Sequence, residues 1–190
     1  MTTGGETGEV EGPHRLAELI AKQEITDVLY RRVRASDRRD IDLALTCYHE
    51  GATEEHEGYS GTAAGFLTTQ SMSAPGTTQR VTCLWHTLTN ILIDLDRESA
   101  QVESTYLGVV VRDSEHGPMH CEIGGRYLDR FAYRDSHWAI TSRTVVYDWS
   151  TVAPAGQSYL ELVGHDESKI IKGRFGPDDP LYSVLDIARG

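Results

Sequence analysis

Residues 81–95 read VTCLWHTLTNILIDL, a run of β-branched and apolar residues that contains one histidine, His86. Its length and composition predict a long β-strand. Further β-rich runs follow at 100–112, 119–133 and 138–149. The breaks between them, 96–99, 113–118 and 134–136, are short and rich in turn-forming residues, which predicts hairpins. The second half of the chain is therefore expected to form a curved antiparallel meander.

The residues before this meander predict helices. From His14 to about Ala35, apolar residues recur at steps of three and four, which is typical of an amphipathic helix. Asp40 can cap a short second helix, and residues 61–72 predict a third, with a short strand at 53–56. Helices followed by a meander predict an α+β fold, in which three helices pack on one face of a cone-shaped curved sheet. The inside of such a cone can hold a small ligand.

The chain has 190 residues, which suits one domain with an ordinary core. Residues 1–12 lack the basic start and apolar core of a secretory signal, and we interpret them as a disordered leader. The predicted domain spans residues 13–150. Residues 151–190 are punctuated by proline and glycine. We interpret them as a C-terminal extension that covers the mouth of the cone or contacts a neighbouring subunit.

Charge and cysteine usage restrict the partners and the compartment. The formal net charge of −11 argues against a nucleic-acid or anionic-membrane partner. No stretch reaches the roughly 18 apolar residues of a membrane span. Three widely spaced cysteines without CxxC spacing indicate free thiols in a reducing compartment, so we predict a cytoplasmic protein. The basic residues between Arg31 and Arg39 are interpreted as a solvated helix face.

No metal or cofactor is predicted. The densest set of metal-type ligands is His49, Glu50, Glu54, Glu55 and His56. Gly51 interrupts this set, and its spacing matches no helical two-histidine motif, so a solvated turn is the preferred interpretation. The glycine pair 124–125 lies within a predicted strand, where it favours sheet curvature over phosphate binding.

Several stretches, in their order and spacing, resemble the SnoaL-like family of the nuclear transport factor 2-like superfamily. Together they cover roughly residues 15 to 150. They are 25–30, ASDRRD at 35–40, WHTLTN at 85–90, GGRYLDRF at 124–131, and HWAI at 137–140 running on to Arg143 and 148–149. The superfamily contains lyases, isomerases, cyclases, epoxide hydrolases and non-catalytic subunits, so the resemblance implies the fold more directly than the function.

Within this superfamily the chain resembles the branch of scytalone dehydratase, bile-acid 7α-dehydratase and hexachlorocyclohexane dehydrochlorinase, which uses an Asp–His dyad. Asp37 and His86 fall at the positions of this dyad, at the end of the first helix and on the first long strand. The resemblance implies that His86 is a general base and that Asp37 fixes its tautomer. It also implies an oxyanion-stabilising Arg143 on the last strand and a cavity tyrosine at Tyr30.

Considered by themselves, the residues leave alternatives open. His86 could be a structural core histidine and Asp37 a helix cap. Arg143 could point outward and pair with a carboxylate on the next strand. The side chains that could contact a polar substrate group are Tyr30, Tyr48, Asn90, Tyr106 and His120.

The combined interpretation is a cofactor-independent lyase or isomerase that acts on a small, largely apolar organic molecule, for example a cyclic, polyketide-like or steroid-like one, with dehydration as the leading reaction. The alternatives are a polyketide cyclase or a non-catalytic ligand-binding subunit, such as the β subunit of a ring-hydroxylating dioxygenase. Co-purification with an equimolar partner subunit would favour the latter. We expect a homodimer or homotrimer, because an open curved sheet leaves an apolar outer face to cover.

Overall fold

A computed structural model describes residues 11–56, 58–69 and 80–185. Residues 1–10 of the predicted leader and residues 70–72 of the predicted third helix lie outside these ranges. The elements in chain order are α1 (Glu11–Arg38), α2 (Ile41–Leu45), β1 (Tyr48–His56), β2 (Tyr59–Thr62), α3 (Ala63–Thr69), β3 (Val81–Asp96), β4 (Ser99–Arg112), β5 (Met119–Arg134), β6 (His137–Pro154), α4 (Tyr159–Leu162) and α5 (Leu181–Val184), with short 3₁₀ turns at Glu167–Lys169 and Gly176–Asp178.

The six strands form one curved, open sheet in the order β2-β1-β6-β5-β4-β3. β3 to β6 form the predicted antiparallel meander. Their bounds lie within one residue of the predicted ones, except that β6 continues five residues further, to Pro154. β1 is longer than expected and joins β6 in parallel, while β2 pairs with β1 in the antiparallel sense. The predicted α+β fold is therefore confirmed.

The C-terminal half of α1 packs against the sheet. Ile25, Val28 and Leu29 are buried there together with Phe131 and Ile140 of the sheet. Burial of each such side chain contributes about 2 kcal/mol. The predicted apolar face of the first half is uncovered in a single chain, since Leu16, Leu19 and Ile20 are exposed. None of the helices in the described part of the chain has the length and apolar character needed to cross a bilayer.

A tight turn ends α1 three residues later than predicted. The N–H of Arg39 donates to the carbonyl of Ser36 at 3.1 Å, and the N–H of Asp40 donates to the carbonyl of Ala35 at 2.9 Å. These two bonds are those of a Schellman motif. Arg39 takes the left-handed position of the motif, with φ of 55°. Glycine is the usual residue at that position, because a Cβ is unfavourable there.

This turn sets the local structure around the predicted site. Asp37 lies in the last turn of α1 and not just after it. Asp40 caps α2 as predicted, since its Oδ1 accepts from the N–H of Leu43 at 3.0 Å. α3 begins later than expected because residues 59–62 form β2.

The C-terminal extension returns to the end of α1. The Nε atom of Arg38 lies 3.3 Å from Oδ1 of Asp179, and the hydroxyl of Tyr182 donates to Oδ2 of Asp40 at 2.6 Å. The ring of Phe175 lies 3.9 Å from the guanidinium carbon of Arg39. These contacts place the extension beside the helix end that carries Asp37.

We expect the contribution of Asp179 to stability to disappear in acid. Its burial raises the pKa, but the backbone N–H groups of Arg174 and Leu181 and the Arg38 guanidinium outweigh this effect and lower the pKa below its usual value. Such a carboxylate stabilises the fold fully above its unfolded-state pKa of about 3.9, and this stabilisation is lost as the pH falls through the folded-state pKa. Asp179→Asn should lower the midpoint of thermal unfolding by roughly 2–4 °C near neutral pH.

Thermal unfolding followed by circular dichroism over a pH series checks this expectation. The midpoints of Asp179→Asn and the wild type should converge as the pH falls through the lowered folded-state pKa, where the native carboxyl also binds a proton. The adjacent Asp178→Asn is the matched control, because Asp178 is exposed and should show little effect. A deficit of Asp179→Asn that is equal at every pH would contradict the expected role of the ionised group.

Candidate active site

A cavity of about 390 Å³ lies between the sheet and the helices. The volume is in the range of small-molecule sites. β4 contributes Tyr106, Gly108, Val110 and Arg112, which alternate along the strand and so share its inner face. The rest of the lining comes mainly from α1, β3, β5 and β6. Its apolar members include Ile41, Phe66, Leu67, Leu84, Ile123 and Val145.

His86 and Asp37 are in direct contact at this cavity. Nδ1 of His86 lies 2.6 Å from Oδ1 of Asp37, and the backbone N–H of His86 donates to Oδ2 at 3.1 Å. The Asp37 residue is 8 % exposed. A carboxylate accepts, so in the neutral imidazole this contact assigns the proton to Nδ1 and leaves the lone pair on Nε2. The ring is therefore arranged as a base.

Gly108 leaves space beside the edge of the His86 ring that faces the cavity. It faces His86 across the β3–β4 ladder, and both residues line the cavity. A Cβ atom at position 108 would lie 3.4 Å from Nε2 and 3.3 Å from Cδ2 of His86. Even an alanine would crowd the imidazole, so the glycine keeps the cavity side of the ring accessible.

Arg143 lies on the inner wall of the cavity and is paired at the same time. Its Nε and Nη2 donate to the two carboxylate oxygens of Asp129 on β5, each at 2.7 Å. Burial alone would lower the pKa of Arg143, but Asp129 and other anionic partners raise it well above its usual value. The sequence left open an inward catalytic arginine or an outward paired one. The observed residue lines the cavity and is paired with Asp129, so each alternative holds in part.

Arg32 forms a second buried ion pair. Its Nη2 lies 3.8 Å from Oε1 of Glu54, and its Nε donates to the hydroxyl of Tyr48 at 2.9 Å. That hydroxyl donates to Oε2 of Glu54 at 2.5 Å. The interpretation of the basic segment as a solvated face is wrong at Arg32, which is 4 % exposed. Glu54 of β1 compensates its charge, which makes the burial tolerable.

The tyrosine candidates occupy different environments. Tyr106 lines the cavity and stacks on Tyr127, with ring centroids 4.4 Å apart. Burial raises the pKa of Tyr127 to about 12, which keeps its hydroxyl protonated. Tyr48 is buried in the Arg32–Glu54 network and is not among the described lining residues. Its predicted contact with substrate is replaced by a supporting contact to Glu54.

Three candidates lie away from the cavity, which corrects their predicted placement. Tyr30 is 50 % exposed and lines a separate shallow depression with Asn90. Two turns of α1, about 10 Å, separate Tyr30 from Asp37. Asn90 has φ of 49° at a break in the β3–β4 register, which turns its side chain away from the inner face. His120 alternates with the cavity-lining Ile123 and therefore belongs to the opposite face of β5.

Sequence reasoning missed Asp129 and considered Glu54 solely as a metal-type ligand. Asp129 follows Tyr127 by two residues on β5, so the alternation of the strand could have placed both on one face. Across the ladder, Asp129 pairs with Arg143. Glu54 likewise pairs with Arg143 across the β1–β6 ladder. No sequence signal predicted the parallel pairing of these two strands.

The family model described as a SnoaL-like domain matches residues 17–144. The chain belongs to this SnoaL-like family, as the resemblance of its sequence predicted, and through it to the nuclear transport factor 2-like superfamily. No curated protein matches the chain.

Solved structures share the fold at low identity. A proposed scytalone dehydratase from Novosphingobium aromaticivorans is 16 % identical with a TM-score of 0.61, over 74 % of this chain and 97 % of that one. The hexachlorocyclohexane dehydrochlorinase LinA-type3 from Novosphingobium barchaimii is 18 % identical with a TM-score of 0.59, over 76 % and 95 %. A proposed aromatic ring hydroxylase from Novosphingobium aromaticivorans is 20 % identical with a TM-score of 0.57, over 72 % and 94 %.

Proposed function

We propose that the protein is a cofactor-independent lyase of the dehydratase type, acting on a small, largely apolar, cyclic molecule. The observation that carries this proposal is the 2.6 Å contact between Nδ1 of His86 and Oδ1 of Asp37. The contact holds the ring at the wall of a cavity whose volume suits such a substrate. The likeness to a dehydrochlorinase and a proposed dehydratase supports the same class of reaction, elimination.

In the proposed reaction, Nε2 of His86 removes a carbon-bound proton next to a carbonyl group of the substrate. The electron pair of the broken C–H bond forms the new double bond as the hydroxyl group leaves from the neighbouring carbon. Asp37 stabilises the imidazolium formed. The imidazolium then returns the proton to the departing hydroxyl, so the products are an unsaturated compound and water. The positive charge of Arg143 stabilises negative charge on the carbonyl oxygen during the transfer.

Isomerisation and cyclisation share the first step with elimination and differ in the fate of the electron pair. A double-bond shift or ring closure conserves the mass of the substrate, whereas dehydration lowers it by one water. A buried carboxylate that orients an imidazole at a cavity serves proton transfer, and a purely structural or ligand-binding subunit has no need for it. This favours an enzyme over a non-catalytic subunit.

The purified protein tested against cyclic β-hydroxy ketones checks the proposal. Dehydration would produce conjugated enones, which are detected by ultraviolet absorbance and identified by mass spectrometry. Substrates recovered from deuterated water would also carry deuterium at the abstracted position if His86 acts as a base before the leaving group departs. A protein that neither dehydrates any member of the series nor exchanges its protons would contradict the assignment.

The apolar surface left uncovered by one chain supports a homo-oligomer, which we propose as a dimer or trimer. Leu16, Leu19 and Ile20 are exposed along α1, and Trp149 and Val152 are exposed on β6. Sedimentation equilibrium should give a mass of two or three chains. Leu19→Glu should shift this mass toward a single chain if the α1 surface is the contact, and the exposed Lys22→Glu is its control. A monomer at micromolar concentration would contradict the proposal.

We propose that the protein acts on small molecules in the cytoplasm, without a nucleic-acid or membrane partner. Cys47, Cys83 and Cys121 are all free thiols, as expected in a reducing compartment. The net charge of −11 disfavours binding to phosphate-rich surfaces.

A further inference from the structure

An arginine occupies the glycine position at the end of α1. Arg39 has φ of 55° in the Schellman turn, where an L-residue costs about 1 kcal/mol more than glycine. Unfavourable backbone conformations of this kind concentrate at functional sites, where the side chain has a use that offsets the cost. The position of the Arg39 side chain indicates such a use.

The Arg39 guanidinium lies at the cavity. Its Nη2 donates to the carbonyl of Val81 at 3.3 Å, and the ring of Phe175 from the C-terminal extension covers the guanidinium carbon at 3.9 Å. Within residues 11–56, 58–69 and 80–185, no carboxylate is within ion-pairing distance of Arg39. Arg39 therefore keeps its positive charge available to the cavity.

A second cation lies next to the same backbone position. Arg112 pairs with Val81 across the β3–β4 ladder and lines the cavity with Arg39. Arg80 directly precedes Val81. Burial and the proximity of Arg80 both lower the pKa of Arg39, so the charge of Arg80 is close enough to act on the Arg39 guanidinium. A cluster of like charges at a cavity favours the binding of an anion.

The carboxylate nearest to this cluster in the lining is already engaged. Asp40 lines the cavity, but its Oδ1 accepts from the N–H of Leu43 and its Oδ2 from the hydroxyl of Tyr182. The deeper arginines differ from Arg39, because Arg143 is paired with Asp129 and Arg32 with Glu54. Among these three arginines of the lining, Arg39 alone has no described carboxylate that compensates its charge.

We propose that Arg39 forms a receptor for an anionic group, a carboxylate or a phosphate, on the substrate. This inference rests on the proposed function and defines its substrate class: an apolar ring system with an anion remote from the reacting carbon. Gly108 faces His86. Arg112 lies four residues further along β4 and pairs with Val81, whose carbonyl accepts from Arg39, so the base and the receptor are about 13 Å apart along the strand. Binding energy from the remote anion would position the reacting carbon at His86.

Calorimetric titration of the full chain with size-matched probes tests this inference. The probes are phenylbutanoate, phenylbutyl phosphate and the neutral phenylbutanamide. We expect at least one anion to bind about 10-fold or more tightly than the amide, with the difference falling at high salt. The anion that binds more tightly shows whether the receptor takes a carboxylate or a phosphate. Anions that bind no better than the amide, or not measurably at all, would overturn the receptor.

Arg39→Gly is the decisive variant, because glycine suits the left-handed position and the fold should be retained. It should lose the preference for anions while it still binds the amide. Arg31→Gln removes the same charge from an exposed position of the same helix and should keep the preference. A preference that survives in Arg39→Gly, or is lost equally in Arg31→Gln, would overturn the assignment.

The binding test can fail independently of the proposed reaction. His86→Ala should retain the preference for anions, because His86 is not part of the receptor. Turnover without any anion preference would overturn the receptor and leave the lyase assignment intact. An anion preference without turnover of any compound would overturn the lyase assignment and leave the receptor intact.

Discussion

Replacement of His86 by alanine is expected to reduce turnover by roughly 10²–10⁴-fold, which is the contribution of a positioned general base. The substitution removes Nε2, the acceptor at the cavity wall, and leaves Asp37 without its imidazole partner. Substrate binding should change far less than the rate constant, because the ring is one part of an extended lining. Initial rates over a range of concentrations of a compound that the wild type converts separate these two effects.

His120→Ala is the matched control for His86→Ala. It removes a second histidine of the same sheet, but from the face of β5 opposite the cavity, and its rate should stay close to that of the wild type. Circular dichroism and thermal unfolding establish that both variants fold. If His86→Ala folds and retains more than about a tenth of the wild-type rate constant, the imidazole is not the base.

Asp37→Asn should lower the rate constant by a similar factor, roughly 10²–10⁴-fold, although it changes the shape of the side chain very little. Oδ1 of Asp37 accepts from Nδ1 of His86 at 2.6 Å. An amide nitrogen at that position would donate to Nδ1 and move the ring proton to Nε2, where it blocks the base. The amide would also carry no charge to stabilise the imidazolium. Initial rates with the same compound measure the loss.

Two comparisons sharpen the Asp37 prediction. Asp42→Asn removes an exposed carboxylate from α2 and should leave the rate constant unchanged. The double variant His86→Ala with Asp37→Asn should be about as slow as His86→Ala alone, because the carboxylate acts through the ring. Losses that multiply would instead indicate that Asp37 has a separate role in the reaction.

The meander was predictable from sequence because its determinants are local. Each of the strands β3 to β6 is a continuous β-rich run, and short turns separate neighbouring strands along the chain. β1 was harder to predict, because Gly51 interrupts it at φ of 75° and its strand partner β6 is distant in sequence. Long-range parallel pairing leaves no periodic signal in the residues themselves.

The site was predictable in part. Asp37 and His86 are 49 residues apart, and family resemblance, rather than periodicity, placed them together. Asn90 was misplaced because a break in register reverses the alternation of a strand. Arg143 was ambiguous because its environment depends on Asp129, a residue of the neighbouring strand. The position of Arg39 at the cavity was not predictable, because it depends on a helix-ending turn that usually contains glycine.

The backbone contact between His86 and Asp37 can be followed by hydrogen exchange. β3 is an edge strand, and the N–H of His86 donates to Oδ2 of Asp37 at 3.1 Å instead of to another strand. Exchange of this amide proton with solvent deuterium is therefore slow while the carboxylate stays in place and fast when it leaves. A single backbone resonance, followed by nuclear magnetic resonance, reports the integrity of the His86–Asp37 pair before any substrate is known.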